Sequence, residues 1–497
     1  MMSEAPSIVW FRQDLRLGDN SALRAAIDLG APIICLYILD DGGEGDWPAG
    51  GASRWWLHHS LSVLQEELDK LDQTLVVREG RSEDVLRDLV EQHEVSAVFW
   101  NRRYEPAVIA RDTAIKTSLR EQGVHAESFR GAMLFEPNTY STQSGDPYKV
   151  FTPFWNQIVK RDDPSPPLAR PRKMPPPVRG VESLQLGDLE LLPSISWDEG
   201  FYETWQPGER GARDMLRQFA NDSVGGYVSN RDFPAVEATS RLSPYLHFGD
   251  VSPAQVWHAI REKQQELRGK QSDSATGFLR QIVWREFAHQ LLYYYPKTPK
   301  EPLRDAFAQF PWRRDDSALD AWKRGKTGYP IVDAGMRELW HTGWMHNRVR
   351  MIVGSFLVKH LLLHWHHGAE WFWDTLVDAD LANNTLGWQW ISGCGADAAP
   401  YFRVFNPILQ GAKFDSDGEY VRKWVPEIAK LPDDVLHEPW NASDEVLAGA
   451  DVVLGETYPK PIVDHKTGRE RALDAYAKLK AKAESFEIPD PECAPSS

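Results

Sequence analysis

The first 135 residues alternate short apolar runs with amphipathic stretches, and no other feature of the sequence restricts its possible folds as strongly. The apolar runs, most of them rich in Val, Ile or Phe, predict buried strands at 7–11, 33–39, 74–78, 97–101 and 125–129. Between them, helical apolar spacing predicts helices at 20–29, 53–71, 82–93 and 106–122. Strands and helices that alternate in this way form a doubly wound parallel sheet, so we predict an α/β domain over residues 1–135.

A polar loop follows the first predicted strand, at the edge where sheets of this kind usually bind ligands. The loop reads Phe-Arg-Gln-Asp-Leu-Arg-Leu-Gly-Asp over residues 11–19, and no G-x-G-x-x-G pattern follows the strand. The sequence therefore does not support a standard dinucleotide site at this position.

Past residue 135 the pattern changes twice. Prolines clustered between 164 and 177 predict a connector over residues 136–207. From 208 to 482, long amphipathic segments without a convincing series of strands predict an all-α domain. The residues 483–497, which end in Pro-Asp-Pro-Glu-Cys-Ala-Pro-Ser-Ser, are expected to be disordered.

The bulk composition excludes several classes of protein. A chain of 497 residues is too long to fold around a single hydrophobic core, so we expect two or more domains. No apolar run approaches the roughly 20 residues that span a bilayer. The N-terminus lacks the regions of a signal peptide, and the scattered Cys35, Cys394 and Cys493 suit neither a metal site nor a disulfide framework. We therefore expect a cytoplasmic protein with no metal. Because the net charge is −16, any binding of DNA must come from a local basic patch.

Tryptophan is unusually abundant. The chain contains 21, of which 11 lie between Trp257 and Trp390. For a single Trp, a place in the core is the simplest interpretation. For the cluster this is less satisfactory, because each indole N–H needs a partner and simpler residues would fill a core. The cluster indicates either stacking on flat ligands or a path for electrons.

Two segments of the helical region offer groups for a large polar ligand. Thr239-Ser-Arg-Leu-Ser-Pro244 has three hydroxyls and an Arg before a predicted helix start, which suits a phosphate but also an ordinary N-cap. In 278–287, Phe278, Gln281 and Arg285 share one helical stripe, with Trp284 beside Gln281. That face offers an aromatic ring, an amide and a guanidinium, although a core helix with a buried ion pair remains an alternative.

Two further segments contain amides beside soft or aromatic groups. Asn347 and Met351 are four residues apart and share a helical face, from which Arg348 and Arg350 are expected to point away. The stretch 378–390 contains two carboxylates, two amides and two Trp within 13 residues. Such a set can hold a heteroaromatic ring, while paired carboxylates alone would also suit hydrolysis or a metal.

These segments resemble the cryptochrome/photolyase family. The resemblance extends in order from about residue 7 to about 426 and includes Phe11-Arg-Gln-Asp-Leu-Arg16, Arg231-Asp-Phe-Pro234, Gly328-Tyr-Pro-Ile-Val-Asp-Ala334 and Asp397-Ala-Ala-Pro-Tyr-Phe-Arg403. Within the family, the sequence is most similar to bacterial enzymes that repair cyclobutane pyrimidine dimers. The resemblance implies the photolyase/cryptochrome fold, light-driven DNA repair and UV-damaged DNA as the partner of a monomer.

The resemblance also implies FAD, one per chain, active as the reduced anion and bound in the helical domain. The positions that match its phosphate and ribityl contacts are Tyr227, Thr239, Ser240, Arg241, Leu242 and Ser243. Those that match the surroundings of its rings are Phe278, Arg285, Asn347, Asp378, Asp380 and Asn384. Asn384 matches the residue beside flavin N5, where an amide donates a hydrogen bond but no acidic proton. Arg285 and Asp380 are expected to pair, since either charge alone is costly to bury.

For the lesion, the resemblance implies that Trp284 and Trp390 wedge against the two bases of the dimer. Asn347 and Met351 would line the same cavity. The positions that match contacts with the DNA backbone are Arg231, Arg348 and Arg403. Trp388, Trp365 and Trp312 match the chain of indoles that carries electrons from the surface to oxidised, photoexcited flavin.

Gln281 departs from the pattern, because enzymes for cyclobutane dimers ordinarily have Glu there, whereas Gln is typical of (6-4) photolyases and animal cryptochromes. The (6-4) enzymes, however, have a His pair where this chain has Asn347 and Met351. Of the three lesion-pocket positions, Asn347 and Met351 therefore favour cyclobutane dimers and Gln281 does not. Gln281 is expected to change only the efficiency of repair.

The antenna chromophore implied by the resemblance is methenyltetrahydrofolate, since Glu105 matches an acidic position near the folate in some members. The main alternative to repair is a cryptochrome photoreceptor, but such proteins usually have a long C-terminal extension. An acidic scaffold with a helical interaction domain would leave the ligand-type segments and the Trp chain unexplained.

Overall fold

The computed structural model describes residues 5–397 and 403–487. Its N-terminal part contains a five-stranded sheet in the order β3-β2-β1-β4-β5, and every neighbouring pair is parallel. The strands are β1 Ser7–Phe11, β2 Ile33–Leu39, β3 Leu75–Glu79, β4 Ala97–Asn101 and β5 His125–Phe129. The predicted parallel sheet is confirmed, with β3 beginning one residue later than predicted.

Four helices cover the two faces of this sheet. They are α1 Ser21–Leu29, α2 Gly51–Asp69, α3 Ser82–His93 and α4 Pro106–Glu121. Helix α1 begins where the Asn20 side chain accepts the N–H of Leu23, and it ends at Gly30 in the left-handed region. In β1, Val9 and Phe11 join one core and Ile8 and Trp10 the other. The strand is therefore buried on both sides, which explains its continuous apolar run.

Beyond β5, the α-helices of the described residues are α5 Phe151–Ile158, α6 Glu199–Thr204, α7 Glu209–Gln218, α8 Tyr227–Asn230, α9 Ser243–Phe248, α10 Pro253–Glu266, α11 Lys270–Tyr294, α12 Asp316–Lys323, α13 Pro330–Thr342, α14 Asn347–Ser355, α15 Trp365–Thr375, α16 Leu381–Ser392, α17 Pro407–Phe414, α18 Glu419–Trp424, α19 Asp433–Leu436, α20 Asp444–Gly449 and α21 His465–Glu487. This agrees with the helical prediction for 208–482. The predicted start of the tail at 483 is wrong, because α21 continues to Glu487; residues 488–497 lie outside the described residues. Among the described helices, none combines the length and apolarity that a membrane span requires.

The stretch predicted as a connector contains the helices α5 and α6. Phe151, Phe154 and Ile158 have i, i+3, i+7 spacing on α5, and all three are buried. This apolar face packs against α11, so part of the connector belongs to the wall of the helical region.

Helix α2 joins the α/β part to the helical part through a buried carboxylate. Asp250, in the turn between α9 and α10, accepts the indole N–H of Trp56 at 2.9 Å and the hydroxyl of Ser60 at 3.1 Å. It also accepts the backbone N–H of Gly208. Burial without an ionic partner raises the pKa of Asp250 to about 7, despite these hydrogen bonds.

Candidate active site

A cavity of about 790 Å³ lies among the helices α8, α9, α11, α14, α15 and α16. Its size is in the upper range for cofactor sites. Of the residues predicted to form the site, those that line it are Tyr227, Arg231, Thr239, Ser240, Arg241, Ser243, Phe278, Gln281, Trp284, Arg285, Asn347, Met351, Asp378, Asp380, Asn384, Trp388 and Trp390. Segments that are far apart in sequence therefore meet around one space.

Helix α11 contributes the predicted stripe. Phe278, Gln281, Trp284 and Arg285 all face the cavity from consecutive turns. The Gln281 amide donates to the backbone oxygen of Gly277 at 3.2 Å and so stays close to its own helix. The Arg285 guanidinium donates to the backbone oxygens of Ala132 and Leu246, which fixes it at the cavity edge.

The expected ion pair between Arg285 and Asp380 is wrong. The basic groups within 4 Å of the Asp380 carboxylate are two histidines, with His289 Nε2 at 3.4 Å and His247 Nδ1 at 3.6 Å from Oδ2. Asn383 donates its backbone N–H and its amide N–H to Oδ1. Burial alone raises the pKa of Asp380, but the charge of His289, the nearby imidazole of His247 and the charge of Arg285 outweigh it and hold the pKa well below its usual range. Burial lowers the pKa of His289, and the charge of Asp380 more than offsets this, so the pKa is raised. The site thus contains a buried carboxylate with two imidazoles beside it.

Asn347 and Met351 lie side by side on α14 as predicted, with Asn347 Nδ2 3.9 Å from Met351 Sδ. The prediction that Arg350 points away is wrong. Arg350 lines the cavity, and its Nη2 contacts both carboxylate oxygens of Asp378, at 2.9 and 3.1 Å. Asp378 is therefore half of an ion pair at the wall, and Arg350 is the residue that compensates its charge.

The loop before α9 presents hydroxyls to the cavity. Thr239, Ser240 and Ser243 line it together with Arg241, whose φ of 49° lies in the left-handed region and whose guanidinium lies over the ring of Trp344, 5.0 Å from its centroid. Leu242 does not line the cavity, because its side chain is buried in the core beneath the loop. Across the cavity, one N–H of the Asn384 amide donates to the backbone oxygen of Ala369 at 3.0 Å.

The three indoles predicted to carry electrons run from the cavity outward. Trp388 lines the cavity and is 4% exposed, Trp365 is 2% exposed, and Trp312 is partly exposed. The imidazole of His364 contacts both of the outer two, with its centroid 5.7 Å from that of Trp365 and 5.2 Å from that of Trp312. Burial lowers the pKa of His364 to about 4, so this bridging ring is neutral at neutral pH.

The predicted basic residues differ in their surroundings. Arg231 lines the cavity and lies over the ring of Tyr227, while Arg348 is paired with Asp232 at 2.8 Å. Arg403 is exposed and lies over Phe405. The neighbouring residues 398–402, which belong to one of the quoted motifs, lie outside the described residues.

Glu105 lines a second, smaller cavity of about 80 Å³ at the carboxyl ends of the strands. Its carboxylate contacts Arg103 at 3.0 Å, and Arg103 also pairs with Glu44 at 2.7 Å. Burial raises the pKa of Glu105, but the charge of Arg103 outweighs this and lowers it to about 2. His247 lines both cavities and thus forms part of the wall between them.

Comparison with known proteins agrees with this arrangement. The model for the FAD-binding domain of DNA photolyase matches residues 278–478, and the DNA photolyase model matches residues 7–173. Deoxyribodipyrimidine photo-lyase from Agrobacterium fabrum is 49% identical over 480 residues, which cover 96% of this chain and 99% of that protein. The chain belongs to the cryptochrome/photolyase family. Cryptochrome-1 from Arabidopsis thaliana is 40% identical over 95% of this chain and 70% of its own length.

Solved structures of the family share the whole architecture. The crystal structure of a bacterial class III photolyase from Agrobacterium tumefaciens superposes with a TM-score of 0.93 at 49% identity, over 97% of this chain and 99% of that one. The matched family model is that of an FAD-binding domain, and the residues that line the helical cavity fit FAD chemically. Hydroxyls and guanidiniums suit its phosphates, while amides and aromatic rings suit its flat heterocycles.

Sequence reasoning missed His247, His289 and Arg350 as parts of this site. A lone His has no spacing that identifies its partner, and His247 and Asp380 are 133 residues apart. The one available signal was Asp380 itself, because a buried carboxylate needs compensating groups.

Proposed function

We propose that this protein repairs DNA by using light to split cyclobutane pyrimidine dimers, with FAD in the helical cavity. The observation that carries the proposal is that Trp284 and Trp390 line the same cavity as the polar groups suited to FAD. Two indoles beside a cofactor can receive two splayed bases by stacking. Photolyases extrude the damaged bases from the duplex before they act on them.

Different residues of the cavity bind different parts of FAD. Thr239, Ser240, Arg241 and Ser243 hold phosphate and ribityl oxygens through hydroxyls and a guanidinium. Asn384 donates an amide N–H without supplying an acidic proton, which favours an anionic flavin. When bound and reduced, FAD supplies the electron that opens the cyclobutane ring under light.

The surroundings of the lesion exclude water and hold the dimer. Asn347 and Gln281 offer amide groups to the base carbonyls, and Met351 fills the remaining space with a soft side chain. Arg231, Arg348 and Arg403 contact DNA phosphates, which gives an acidic protein its local basic patch.

Trp388, Trp365 and Trp312 return oxidised FAD to its reduced state by passing electrons from the surface under light. The outward order of these indoles from the cavity supports this role. The chain of indoles serves maintenance of the cofactor and is separate from repair.

The smaller cavity is proposed to bind methenyltetrahydrofolate as an antenna. The Glu105 carboxylate can accept N–H groups of a pterin, which supports the assignment. A cavity of about 80 Å³ is below the usual size of cofactor sites, so most of the chromophore would lie over its rim. A near-ultraviolet absorption band that is lost in Glu105→Gln is the expected result; a deazaflavin spectrum in the purified protein would contradict it.

The decisive experiment illuminates the reduced protein with oligonucleotides that contain either a cyclobutane dimer or a (6-4) product. We expect restored bases only with the cyclobutane dimer. Repair of the (6-4) product alone would assign the lesion specificity to Gln281, and repair of neither would favour the photoreceptor function of the cryptochromes that match this chain. We further propose a cytoplasmic monomer, to be checked by fractionation of cells and by sedimentation of the FAD-bound protein.

A further inference from the structure

The indole of Trp284 is held from one side by a residue of the connector. Phe151, the first residue of α5, stacks on Trp284 with ring centroids 3.6 Å apart and an angle of 5° between the planes. Phe287 packs edge-on against both rings, at 5.8 Å from Phe151 and 5.7 Å from Trp284. One face of Trp284 is therefore covered, and only its other face and its edge can meet a ligand in the cavity.

The stack continues on the other side of Phe151. The guanidinium of Arg280 lies over the Phe151 ring, 5.1 Å from its centroid. Arg280 and Trp284 are four residues apart on α11, so their side chains neighbour each other on one face of that helix. Phe151 is inserted between them and is 1% exposed. Its ring can neither turn nor leave without opening this face of α11.

The same segment also contacts the loop that follows the second indole of the lesion site, Trp390. The N–H of Asp397 donates to the backbone oxygen of Lys149, two residues before Phe151, at 3.2 Å. Asp397 lines the large cavity and closes the loop that follows Trp390. That loop folds back on α16, because the N–H groups of Cys394 and Gly395 both donate to the Gln389 oxygen at 3.1 Å.

We propose that Phe151 is a positioning residue for dimer recognition, because it sets the orientation of Trp284 and ties it to the loop after Trp390. The inference rests on the proposed function, in which both indoles meet the dimer. Phe151 itself is buried and does not line the cavity. Phe151 orients Trp284 before the dimer binds, so that binding carries no entropic cost for ordering the indole ring.

The test compares Phe151→Leu with Phe154→Leu in the FAD-bound protein. Phe154 is also 1% exposed on α5 and packs against Tyr140 and Phe287, but has no contact with the Trp284 ring. Dark binding is measured with a duplex that contains a cyclobutane dimer and with the undamaged duplex. 2-Aminopurine opposite the dimer reports its extrusion. We expect Phe151→Leu to weaken binding of the dimer about 3- to 10-fold and to reduce the fluorescence change, in line with the loss of an aromatic pair.

Binding of the undamaged duplex and the FAD absorption should be unchanged in both variants, and Phe151→Tyr, which keeps the ring, should restore discrimination. If Phe151→Leu does not retain FAD, Phe151→Met gives the same comparison, since its flexible side chain fills the space without a ring. If the Phe151 and Phe154 variants lose equal affinity for the dimer, or neither loses any, the role of Phe151 is overturned while the proposed function stands. Equal affinity of the unmodified protein for both duplexes overturns the proposed function and the inference with it.

Discussion

The indole of Trp388 lies against the backbone of Gly368 in α15. A Cβ atom built on Gly368 would be 2.0 Å from Cη2 of Trp388 and 2.4 Å from its Cζ2. Gly368 is one helical turn beyond Trp365, so this contact brings the innermost indole of the electron chain next to the helix that carries the second. No side chain larger than hydrogen fits between them.

Gly368→Ala should displace Trp388. The added methyl group would meet the fused ring of Trp388 in a packed core, and this ring cannot move aside as the end of a flexible side chain could. We expect a loss of about 1–3 kcal/mol in the free energy of unfolding, partly offset by the better helix propensity of Ala, and slower photoreduction of FAD. Thermal unfolding and flavin absorption under blue light measure the two effects.

Gly354→Ala is the matched control. Gly354 also faces Trp388 from a helix, but its Cβ would be 3.6 Å from the Trp388 ring and 3.4 Å from Ile391. These are ordinary contacts, so stability should rise slightly and photoreduction should not change. Equal effects of the two substitutions would contradict the role of the close contact.

Trp312→Phe should block the outer end of the electron chain. Phe has a ring of similar shape but is much harder to oxidise, so electrons would no longer enter through this position. We expect photoreduction by an external thiol to slow severalfold, while protein reduced chemically beforehand repairs dimers at the unmodified rate. Transient absorption of the indole radical gives a direct measurement. A loss of repair in the chemically reduced variant would contradict a role confined to cofactor reduction.

Asp250 should make stability depend on pH. Because its pKa in the folded protein is about 7, above the ordinary value of 3.8, the folded state holds a proton that the unfolded state has lost between these values. The contribution is therefore complete below about pH 4 and is lost as the pH rises through 7, at up to about 1.4 kcal/mol per unit. Asp250→Asn should flatten this dependence between pH 4.5 and 7.5 in chemical denaturation. An unchanged slope would show that Asp250 is ionised in the folded protein.

Much of this architecture can be predicted from local pattern. The strands have continuous apolar runs because both faces of the sheet are covered, and the stripe of Phe278, Gln281 and Arg285 follows from helical spacing alone. What could not be predicted is pairing between distant segments. The histidines beside Asp380 come from two other helices, and no local pattern distinguishes them from Arg285 as its partner. The eight-residue helix α5 was not predicted, because it lies between a loop and a proline-rich stretch, although its apolar residues have helical spacing.

His289→Leu should leave the buried charge of the Asp380 carboxylate less well compensated. His247 at 3.6 Å and the two hydrogen bonds from Asn383 would remain, but the buried carboxylate would lose the His289 charge that lowers its pKa. We expect the free energy of unfolding to fall by about 1–3 kcal/mol and the purified protein to retain less FAD. His289→Gln, which can still donate a hydrogen bond, should lose less of both. FAD content per chain and denaturation at pH 7 are the measurements, and full FAD content in His289→Leu would contradict the pairing.

Gln281→Leu tests the position where this chain departs from other cyclobutane-dimer enzymes. The Gln281 amide uses one N–H for the Gly277 oxygen, so its second N–H can bond to a dimer carbonyl on which negative charge develops. Hydrogen bonds to charged groups are the stronger ones, and their loss should appear after electron transfer rather than in binding. We expect the yield of repair per absorbed photon to fall about 3- to 10-fold, with little change in the dissociation constant of the dimer. Photoreduction of FAD serves as the internal control, because Trp388 approaches the cavity from α16. A variant with weaker dimer binding but an unchanged yield would assign Gln281 to recognition rather than to ring opening.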